Sequence, residues 1–452
     1  MSDCVIRGAS LVLPNGVQQL DLAFADDAIC EIGPEVPSGA QEIDARGLHV
    51  FPGVIDIHLH FNEPGRTEWE GAATGSRALA AGGGTVFFDM PLNSTPCTTN
   101  AYEFDRKRAA LEAASITDFG LWGGLVPGNI GEMAELAERG VVGFKAFMCD
   151  SGLPEFPRAD DGTLFDGLKE AARLNLPVAV HAESHELTCA LSKRMIEQGR
   201  RGIRDFLESR PVIAEVEAIQ RATLLAGEAG AKLHIVHVSS GRGVAVAVEA
   251  RGRGVDASIE TCPHYLFFTE EDVERLGAIA KCAPPLRDAA HQDALWTKVM
   301  DGSIDAVASD HSPAPPEMKS GDFWKTWGGI QGVQSTLPVM LERGVHRRKL
   351  GLEHLANLLA ATPAQRFRIP GKGSLRVGHD ADMVLVDLFG SYTLRGEDLH
   401  QRHRLSPYIG ATFRGVVRHT IRRGETIFRD GAITAKRAGK FVRPCEAKKD
   451  HA

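Results

Sequence analysis

Two histidines separated by one residue stand at the end of an apolar run and could bind a metal. His58 and His60 lie in the stretch that reads Gly-Val-Ile-Asp-Ile-His-Leu-His-Phe-Asn-Glu-Pro. Because side chains alternate faces along a strand, both imidazoles should project from one face, with Ile55, Ile57 and Leu59 on the other. The Glu-Pro-Gly that follows ends the strand, so the pair lies at its C-terminal tip. Two ligands cannot complete a metal site, so the rest of the chain must supply others.

Four later apolar runs also end in side chains that suit metal binding or acid-base chemistry. These side chains are Lys145, His181, His237 and Asp310. A lysine inside an apolar run is costly unless it is neutralised or paired. Each residue taken alone is also typical of an ordinary polar strand end, so the argument depends on their shared position. The sequence therefore predicts that these strand ends meet at one rim.

Eight apolar runs with strand character alternate with segments of helical length. Alternation repeated eight times favours an α/β fold of the (β/α)8 TIM-barrel type over an open sheet. Barrel enzymes carry their chemistry at the C-terminal ends of the strands. The predicted strands span residues 51–60, 84–91, 118–126, 141–148, 177–183, 233–240, 256–266 and 304–310.

The two ends of the chain have a different texture, with short alternating runs separated by turn residues. This texture predicts that the first and last segments pair into a small β-sandwich beside the barrel. Two helices carry clear end signals. One, over 67–81, opens with a capping-box pattern of Thr67 and Glu70, and the other, over 215–229, stops at Gly230. The predicted division is sandwich 1–50, barrel 51–370, sandwich 371–435 and C-terminal tail 436–452.

The composition excludes several classes of function. The 452 residues carry a formal net charge of -8, which gives no basic surface for nucleic acid or anionic lipid, and the basic stretch 414–449 is interpreted as a solvated edge and tail. No apolar run is long enough to predict a membrane span. Eight scattered cysteines without a Cys-X-X-Cys motif, and no recognisable leader, favour the cytoplasm.

Longer motifs connect the candidate residues to a known group of enzymes. The chain resembles the cyclic amidohydrolases of the amidohydrolase superfamily, and most closely the allantoinase family within that group. The resemblance covers almost the whole chain. It rests on Pro52-Gly53-Val54-Ile55-Asp56, Glu260-Thr261-Cys262-Pro263-His264-Tyr265 and Leu405-Ser406-Pro407-Tyr408-Ile409-Gly410.

The resemblance implies a binuclear metal centre. Two divalent ions, zinc foremost with iron, cobalt or manganese as alternatives, would bind the predicted ligands. Lys145 would be carboxylated on its side-chain nitrogen by CO2 or bicarbonate, and its carbamate would bridge the ions. The implied ligands are His58, His60, Lys145, His181, His237 and Asp310.

Related enzymes differ at positions that choose the substrate. Dihydroorotases, which resemble this chain, carry an arginine two residues after the second histidine, where Asn62 stands here, and a histidine where Ala314 stands. Hydantoinases place a tyrosine about five residues after the lysine, where this chain has Asp150. These differences favour allantoin, although hydantoinase, dihydropyrimidinase and dihydroorotase activities stay as alternatives. A non-catalytic scaffold of the same fold is disfavoured because all six implied ligands are present.

The implied reaction is hydrolytic opening of the hydantoin ring of allantoin to allantoate, with Asp310 as general base and then general acid. The partner is therefore a small molecule, and the family commonly forms homotetramers. Two departures from the family pattern are Ala283, where relatives often have serine, and Ala314, where many allantoinases have cysteine. The candidate substrate contacts are Asn62, Asn93, Cys282, Ala283 and Ser312.

Three further histidines lie near the predicted site. His234 is three residues before His237 and should have the opposite strand parity, pointing to the helices with a structural role. His264 and His311 are candidates for supporting the metal ligands. The stretch 149–162 has no strong periodicity and predicts a lid over the rim.

Overall fold

Eight parallel strand positions form a closed barrel in a computed structural model that describes residues 2–445. One sheet joins the first three positions and another joins the rest. The first strand meets the end of the eighth through a bridge between Leu59 and His311, where the His60 amide donates to the His311 carbonyl at 2.8 Å. The barrel strands are Val54–Leu59, Gly84–Asp89, Asp118–Leu121 with Gly123–Gly124, Phe144–Phe147, Val178–His181, Leu233–Ile235, Ala257–Thr261 and Ala306–Val307.

The eight predicted strands are thus confirmed in position, but most are shorter than the apolar runs that predicted them. The seventh run shows why, because its strand ends at Thr261 and Pro263–Phe267 is a helix. Proline fits the first turn of a helix, where its missing N–H has no partner to lose. The barrel fold with a β-domain is the predicted fold class.

Both ends of the chain contribute strands to one antiparallel-rich sheet. Its order places the C-terminal strands beside His49–Pro52, which in turn pairs with the first strand of the chain. The domain boundaries themselves remain a prediction. The strands of this sheet are Cys4–Leu13, Gly16–Ala25, Ala28–Gly33, Gln41–Asp44, His49–Pro52, Met383–Thr393, Thr412–Arg422, Glu425–Arg429 and Ala432–Ile433.

Helices connect the barrel strands and cover the outside of the barrel. Short turns of 3-10 helix and two π-helical stretches, Met340–His346 and Asn357–Ala361, lie between them. The α-helices are Ala72–Ala81, Ala101–Ala114, Met133–Arg139, Asp161–Arg173, His185–Glu197, Ile203–Glu208, Val212–Ala229, Gly241–Gly252, Pro263–Phe267, Glu270–Leu276, Ala289–Met300, Thr336–Val339, Leu352–Ala356 and Thr362–Arg366.

The predicted capping box at Thr67 is wrong. The helix begins at Ala72 after Gly71, which has a positive φ of 81° and no side chain to cap with. Glu70 is fully buried and accepts a hydrogen bond from the Arg402 amide instead. Tertiary contacts have therefore taken the carboxylate that the local pattern assigned to the helix end. The second helix is confirmed and extends over Val212–Ala229, with Gly230 in the left-handed region.

The basic C-terminal stretch is better packed than a solvated tail. Arg422 is fully buried, and its guanidinium pairs with Glu425 at 2.7 Å. Phe441 contacts the rings of Phe104 and Phe119, and the Phe119 amide donates to the Lys440 carbonyl. Residues up to 445 therefore close over the barrel, while 446–452 of the predicted tail lie outside the described residues.

Within residues 2–445, none of the helices combines the length and apolarity that a bilayer crossing needs. All eight cysteines in this part of the chain carry free thiols.

Candidate metal centre

The first predicted pair of histidines converges on Asp310. His58 Nε2 lies 3.2 Å and His60 Nε2 lies 3.5 Å from Oδ1 of Asp310. The two histidines are almost entirely buried and the Asp310 side chain is 14% exposed, and the ligand atoms of the three form a group that could hold a metal ion. The structure thus joins the end of the first barrel strand to the end of the eighth at one point.

Glu260 holds His58 from behind. Its Oε1 lies 2.8 Å from His58 Nδ1 and accepts the His237 amide at 3.0 Å, and its Oε2 lies 3.1 Å from His234 Nε2. Burial alone would raise the pKa of Glu260, but His58 and His234 outweigh it and lower the pKa to about 2. An anionic Glu260 fixes a proton on His58 Nδ1, which leaves Nε2 free to bind a metal.

A second carboxylate holds His181 by the other ring nitrogen. Glu183 Oε2 lies 2.8 Å from His181 Nε2 and accepts a hydrogen bond of 2.7 Å from Arg210. Burial would raise the pKa of Glu183, but Arg210 and His181 outweigh it and lower the pKa to about 2. His181 therefore presents Nδ1 to the cavity, the opposite nitrogen from His58.

Lys145 lies between the histidines without a hydrogen-bond partner. Its side chain is 1 % exposed, and its Nζ has no acceptor among residues 2–445. The nitrogen lies 5.1 Å from the centre of the Phe147 ring. Burial lowers the pKa of Lys145 to about 8, which makes the neutral amine accessible near physiological pH.

Two predicted ligands adopt the left-handed backbone region. His237 has a φ of 41° and Asp310 a φ of 42°, values that cost free energy for residues other than glycine. The His237 ring lies 4.5 Å from that of His181 and 5.4 Å from that of His58. Each turn occurs just after a barrel strand and aims the side chain into the cavity, so local strain occurs where chemistry is predicted.

These irregularities also overturn two predictions of strand parity. Ile55 and Ile57 do not share a face with Leu59. They belong to the buried cluster of Phe88 and Trp122, whereas Leu59 belongs to another, because the register of the first strand against the second shifts between Asp56 and Leu59. His234 does not face the helices. Its ring stacks 6.2 Å from Trp122 and it bonds Glu260, because the turn at His237 breaks the alternation between the two histidines.

Five of the six predicted ligands, all but Lys145, line a cavity of about 590 Å³. Four of the five predicted substrate contacts line it, namely Asn93, Cys282, Ala283 and Ser312. Asn62 does not line it. Its side chain is fully buried and its amide donates to the Pro313 carbonyl at 3.3 Å, so it supports the wall from behind.

The lid and the two supporting histidines fall in different surroundings. Asp150, the position that separates this chain from hydantoinases, lines the cavity at the start of the predicted lid. His311 accepts a hydrogen bond of 3.1 Å from the Gly332 amide through Nδ1, so it joins the eighth strand to the following loop.

His264 is buried with its Nε2 unpaired among the described residues, and burial lowers its pKa to about 4.

The sequence predicted no role for Glu260, Glu183 or Arg210, although Glu260 opens one of the motifs that carry the family resemblance. Glu260 lies in a predicted barrel strand, two residues after Ser258. A carboxylate in a buried strand costs free energy unless it is paired, and that cost is the signal that could have identified it. Its partner His58 is 202 residues away, a distance that no local pattern spans.

Comparison with known proteins agrees with this arrangement. The model of the amidohydrolase family matches residues 49–427. The chain belongs to the amidohydrolase family. Membership implies divalent metal ions, and the groups of possible ligands described above fit that requirement.

Curated relatives match along nearly the whole length. An allantoinase from Solibacter usitatus is 64% identical over 445 residues, which are 98% of this chain and 97% of that protein. An allantoinase from Rubrobacter xylanophilus is 56% identical over 98% of each chain. Among solved structures, an L-hydantoinase (dihydropyrimidinase) from Arthrobacter aurescens has a TM-score of 0.95 at 34% identity and covers 98% of this chain and 100% of its own.

Proposed function

We propose that this chain is an allantoinase, which opens the hydantoin ring of allantoin by hydrolysis to give allantoate. The observation that carries the proposal is the convergence of four histidines and Asp310 on one open cavity, with the buried Lys145 beside them. The high identity to allantoinases along the whole chain supports the choice of substrate.

The unpaired atoms fit two divalent ions. His58 and His60 face Asp310 on one side, and His181 and His237 face each other on the other, with Lys145 Nζ and His237 Nδ1 lacking partners among the described residues. A neutral Lys145 amine would add to CO2, and the resulting carbamate would lie between the two sets as an anionic bridge. Zinc suits these ligands best, with iron, cobalt or manganese as alternatives.

The ions, when bound, would lower the pKa of a water molecule toward neutrality and polarise the ring carbonyl. Asp310 then accepts the proton that this water loses as its oxygen joins the carbonyl carbon. Asp310 later gives that proton to the ring nitrogen as the carbon–nitrogen bond breaks, because an amide nitrogen leaves poorly as an anion. The products are a ureido N–H and a carboxylic acid, which releases its proton to solvent at neutral pH, so the oxygen and both hydrogens of water are accounted for.

Two features prepare Asp310 for this role. Burial opposes ionisation, yet His58, His60 and His237 outweigh it and hold the pKa of Asp310 well below its ordinary value. The residue thus starts as a carboxylate that can accept a proton. Its left-handed backbone turns it toward the same point as the two histidines of the first strand.

The substrate ring would lie beside Asn93, Ser312, Cys282 and Ala283. The Asn93 amide lies 3.4 Å from Ser312 Oγ, so these two polar groups form one patch near Asp310. Ala283 and Ala314 offer no polar side chain, and recognition at those positions falls to main-chain groups. Ring amides carry both donors and acceptors, which such a mixed wall can satisfy.

Hydantoinase or dihydropyrimidinase activity is the second candidate, because solved structures that match this chain over 98% of its length carry those names. The acidic Asp150 in the wall argues against it, since an uncharged tyrosine is expected there. Dihydroorotase activity is less favoured, because Asn62 is buried behind the wall and offers no cation for a substrate carboxylate.

A homotetramer in a reducing cytoplasm completes the proposal. The division at residues 50, 370 and 435 and the lid over 149–162 belong to it as well. Size-exclusion chromatography with light scattering measures the oligomeric state and so tests the homotetramer.

A side-by-side assay tests the function. The purified protein is stripped of metal, reloaded with each candidate metal plus bicarbonate, and given allantoin, hydantoin, dihydrouracil and dihydroorotate at equal concentrations. Allantoin should have the highest kcat/KM by at least about tenfold, which corresponds to one pocket contact or more. A higher kcat/KM for hydantoin or dihydrouracil would replace the proposed substrate, and no turnover of any of them would revive the scaffold.

A further inference from the structure

Two lysines that the mechanism does not use, the buried Lys281 and the partly buried Lys319, bind main-chain carbonyls in one wall of the cavity. Lys281 Nζ donates to the carbonyls of Phe323 at 2.6 Å and Thr326 at 2.7 Å, and lies 3.4 Å from that of Trp324. The Lys319 Nζ donates to the carbonyls of Trp327, Gly329 and Ala278. Each ammonium has three donors, and each finds three main-chain acceptors.

The gripped segment, residues 323–329, has no regular secondary structure of its own. The two lysines bind five of its seven carbonyls, all but those of Lys325 and Gly328. An irregular segment leaves its carbonyls unpaired, and burying them without donors would cost free energy. The two ammonium groups supply those donors and so define where the segment lies.

This segment is part of the cavity wall and leads to the catalytic strand end. Trp324, Thr326 and Trp327 line the cavity. The Gly329 amide donates to the Lys281 carbonyl at 2.8 Å, and the Ser312 amide, two residues beyond Asp310, donates to the Ile330 carbonyl at 3.0 Å. On its other side the Trp327 ring packs 4.9 Å from that of Trp69, which follows the first barrel strand.

We propose that Lys281 and Lys319 are positioning residues that hold segment 323–329 against the cavity and thereby set the affinity for the ring substrate. The proposal rests on the proposed function for its substrate, but the hold on the segment does not depend on it. Lysine suits the task because a compact ammonium can reach three carbonyls that no planar group could reach together.

The pKa values of the two lysines indicate that burying them costs free energy. Burial lowers the pKa of Lys281 to about 8, and burial together with the nearby Lys281 charge lowers that of Lys319 to about 7. At neutral pH Lys281 is therefore mostly charged and Lys319 only partly so, and the direct partners of both are main-chain carbonyls. Such an arrangement is unfavourable for stability alone, which points to a role in the site.

The test replaces each lysine by methionine, which keeps the length and removes the donors. Lys319→Met and Lys281→Met should raise KM for allantoin about tenfold, the effect of losing one pocket interaction, while kcat falls less than about threefold. Metal content should stay at the wild-type level. Lys298→Met, which removes a surface lysine paired with Asp301, is the matched control.

Hydrogen exchange supplies a readout that needs no turnover. Amides of 323–330 should exchange faster in both variants, while those of the barrel strands keep their wild-type rates. Lys319→Arg, which keeps the charge and donors, should recover part of the protection and of the KM. Unchanged KM together with unchanged exchange in 323–330 would overturn the proposal. Faster exchange throughout the chain would also overturn it, because the lysine would then stabilise the whole fold and not this segment. If the wild type turned over none of the ring substrates, the proposed function would fail while hydrogen exchange still decided the grip.

Discussion

The two ends of the barrel both bury several charged groups, but they treat them differently. At the end where the strands begin, Lys372 Nζ lies 2.8 Å from Asp118, 2.8 Å from Asp380 and 2.6 Å from Asp382. Asp118 also binds Arg423 at 3.0 Å. Every charge in this network meets an opposite charge, and the network joins the barrel to the terminal sheet.

At the opposite end, buried polar atoms are left without partners. Among residues 2–445 these include Lys145 Nζ, His237 Nδ1, His264 Nε2 and Glu183 Oε1. Burying a polar atom without a hydrogen-bond partner costs free energy, so the stability of the fold does not explain these atoms unless a ligand binds them. The comparison teaches that the charges of the Lys372 network are paired with one another and hold the fold, whereas polar atoms among the predicted metal ligands remain available to bind a ligand.

The largest expected effect is at Lys145. Lys145→Ala should lose most bound metal and nearly all turnover, because the bridge between the two sets of histidines is gone. Short carboxylic acids such as acetate or propionate should restore part of both by occupying the place of the carbamate. Metal content by elemental analysis and the rate of allantoin loss measure the two effects.

The thermal midpoint of the metal-free Lys145→Ala protein should equal or exceed that of the metal-free wild type, since an unpaired buried amine has been removed. Full metal content with near-normal turnover would show that the bridge is elsewhere.

Asp310 comes next. Asp310→Asn keeps an oxygen near His58 and His60 but cannot carry a proton, so turnover should fall by about 10²-fold or more while much of the metal is retained. Steady-state kinetics on protein of measured metal content gives the result. A metal-replete variant with unchanged kcat would move the search for the base to His264 or His311.

The network at the other end should show the reverse pattern. Lys372→Met leaves the buried carboxylates of Asp118 and Asp382, and the partly exposed one of Asp380, without their shared cation, which should lower the free energy of unfolding by about 3 to 5 kcal/mol. The values of kcat and KM at 25 °C should not change, because none of these residues contacts the cavity. Chemical denaturation and kinetics on the same preparation check both statements, with Lys298→Met as the control for a surface pair worth less than about 1 kcal/mol.

The pH dependence of the wild type follows from the same network. Burial would lower the pKa of Lys372, but Asp382 and Asp118 outweigh it and raise the pKa above its ordinary value. A raised lysine pKa contributes stability that is complete below about pH 10 and is lost as the pH rises through the folded value. Lys372→Met should therefore lose this alkaline dependence, and a variant that retained it would place the titrating group elsewhere.

The sequence predicted the fold and the six converging residues because both depend on short-range signals. Apolar runs of strand length, and polar residues such as His181 and Asp310 at their ends, are visible without a structure. The pairings that orient the ligands were not visible. Glu260 meets His58 across 202 positions, and Glu70 leaves its helix end for Arg402.

Strand parity failed for a related reason. The shift in register after Asp56 and the left-handed turn at His237 each change which face a side chain occupies. Alternation assumes a regular strand, and the strands of this barrel are irregular near the cavity, where chemistry requires unusual directions. The residues that sequence reasoning misplaced, Leu59 and His234, are neighbours of those turns.

The smallest effects should come from the two carboxylates that hold the histidines, and they sharpen the comparison because one is neutralised and the other is not. Glu183 is paired with Arg210, whereas Glu260 is hydrogen-bonded to the rings of His58 and His234 and to the His237 amide, without an arginine or lysine among the described residues. Glu260→Gln keeps an acceptor but loses the charge that fixes the His58 proton. Metal affinity should fall by about 10 to 100-fold, with little change in the thermal midpoint of the metal-free protein.

Glu183→Gln should weaken metal binding by a similar factor but also lower the metal-free midpoint, because Arg210 is left buried without its counter-charge. Metal retained after dialysis against a graded series of chelator concentrations, together with thermal unfolding of the stripped proteins, separates the two cases. Glu138→Gln, an exposed glutamate on the outer helix Met133–Arg139, is the matched control and should match the wild type in both. Equal losses of stability in the two variants would mean that Glu260 also stabilises the metal-free protein. The division between a structural end and a ligand-binding end of the barrel would then not hold for Glu260.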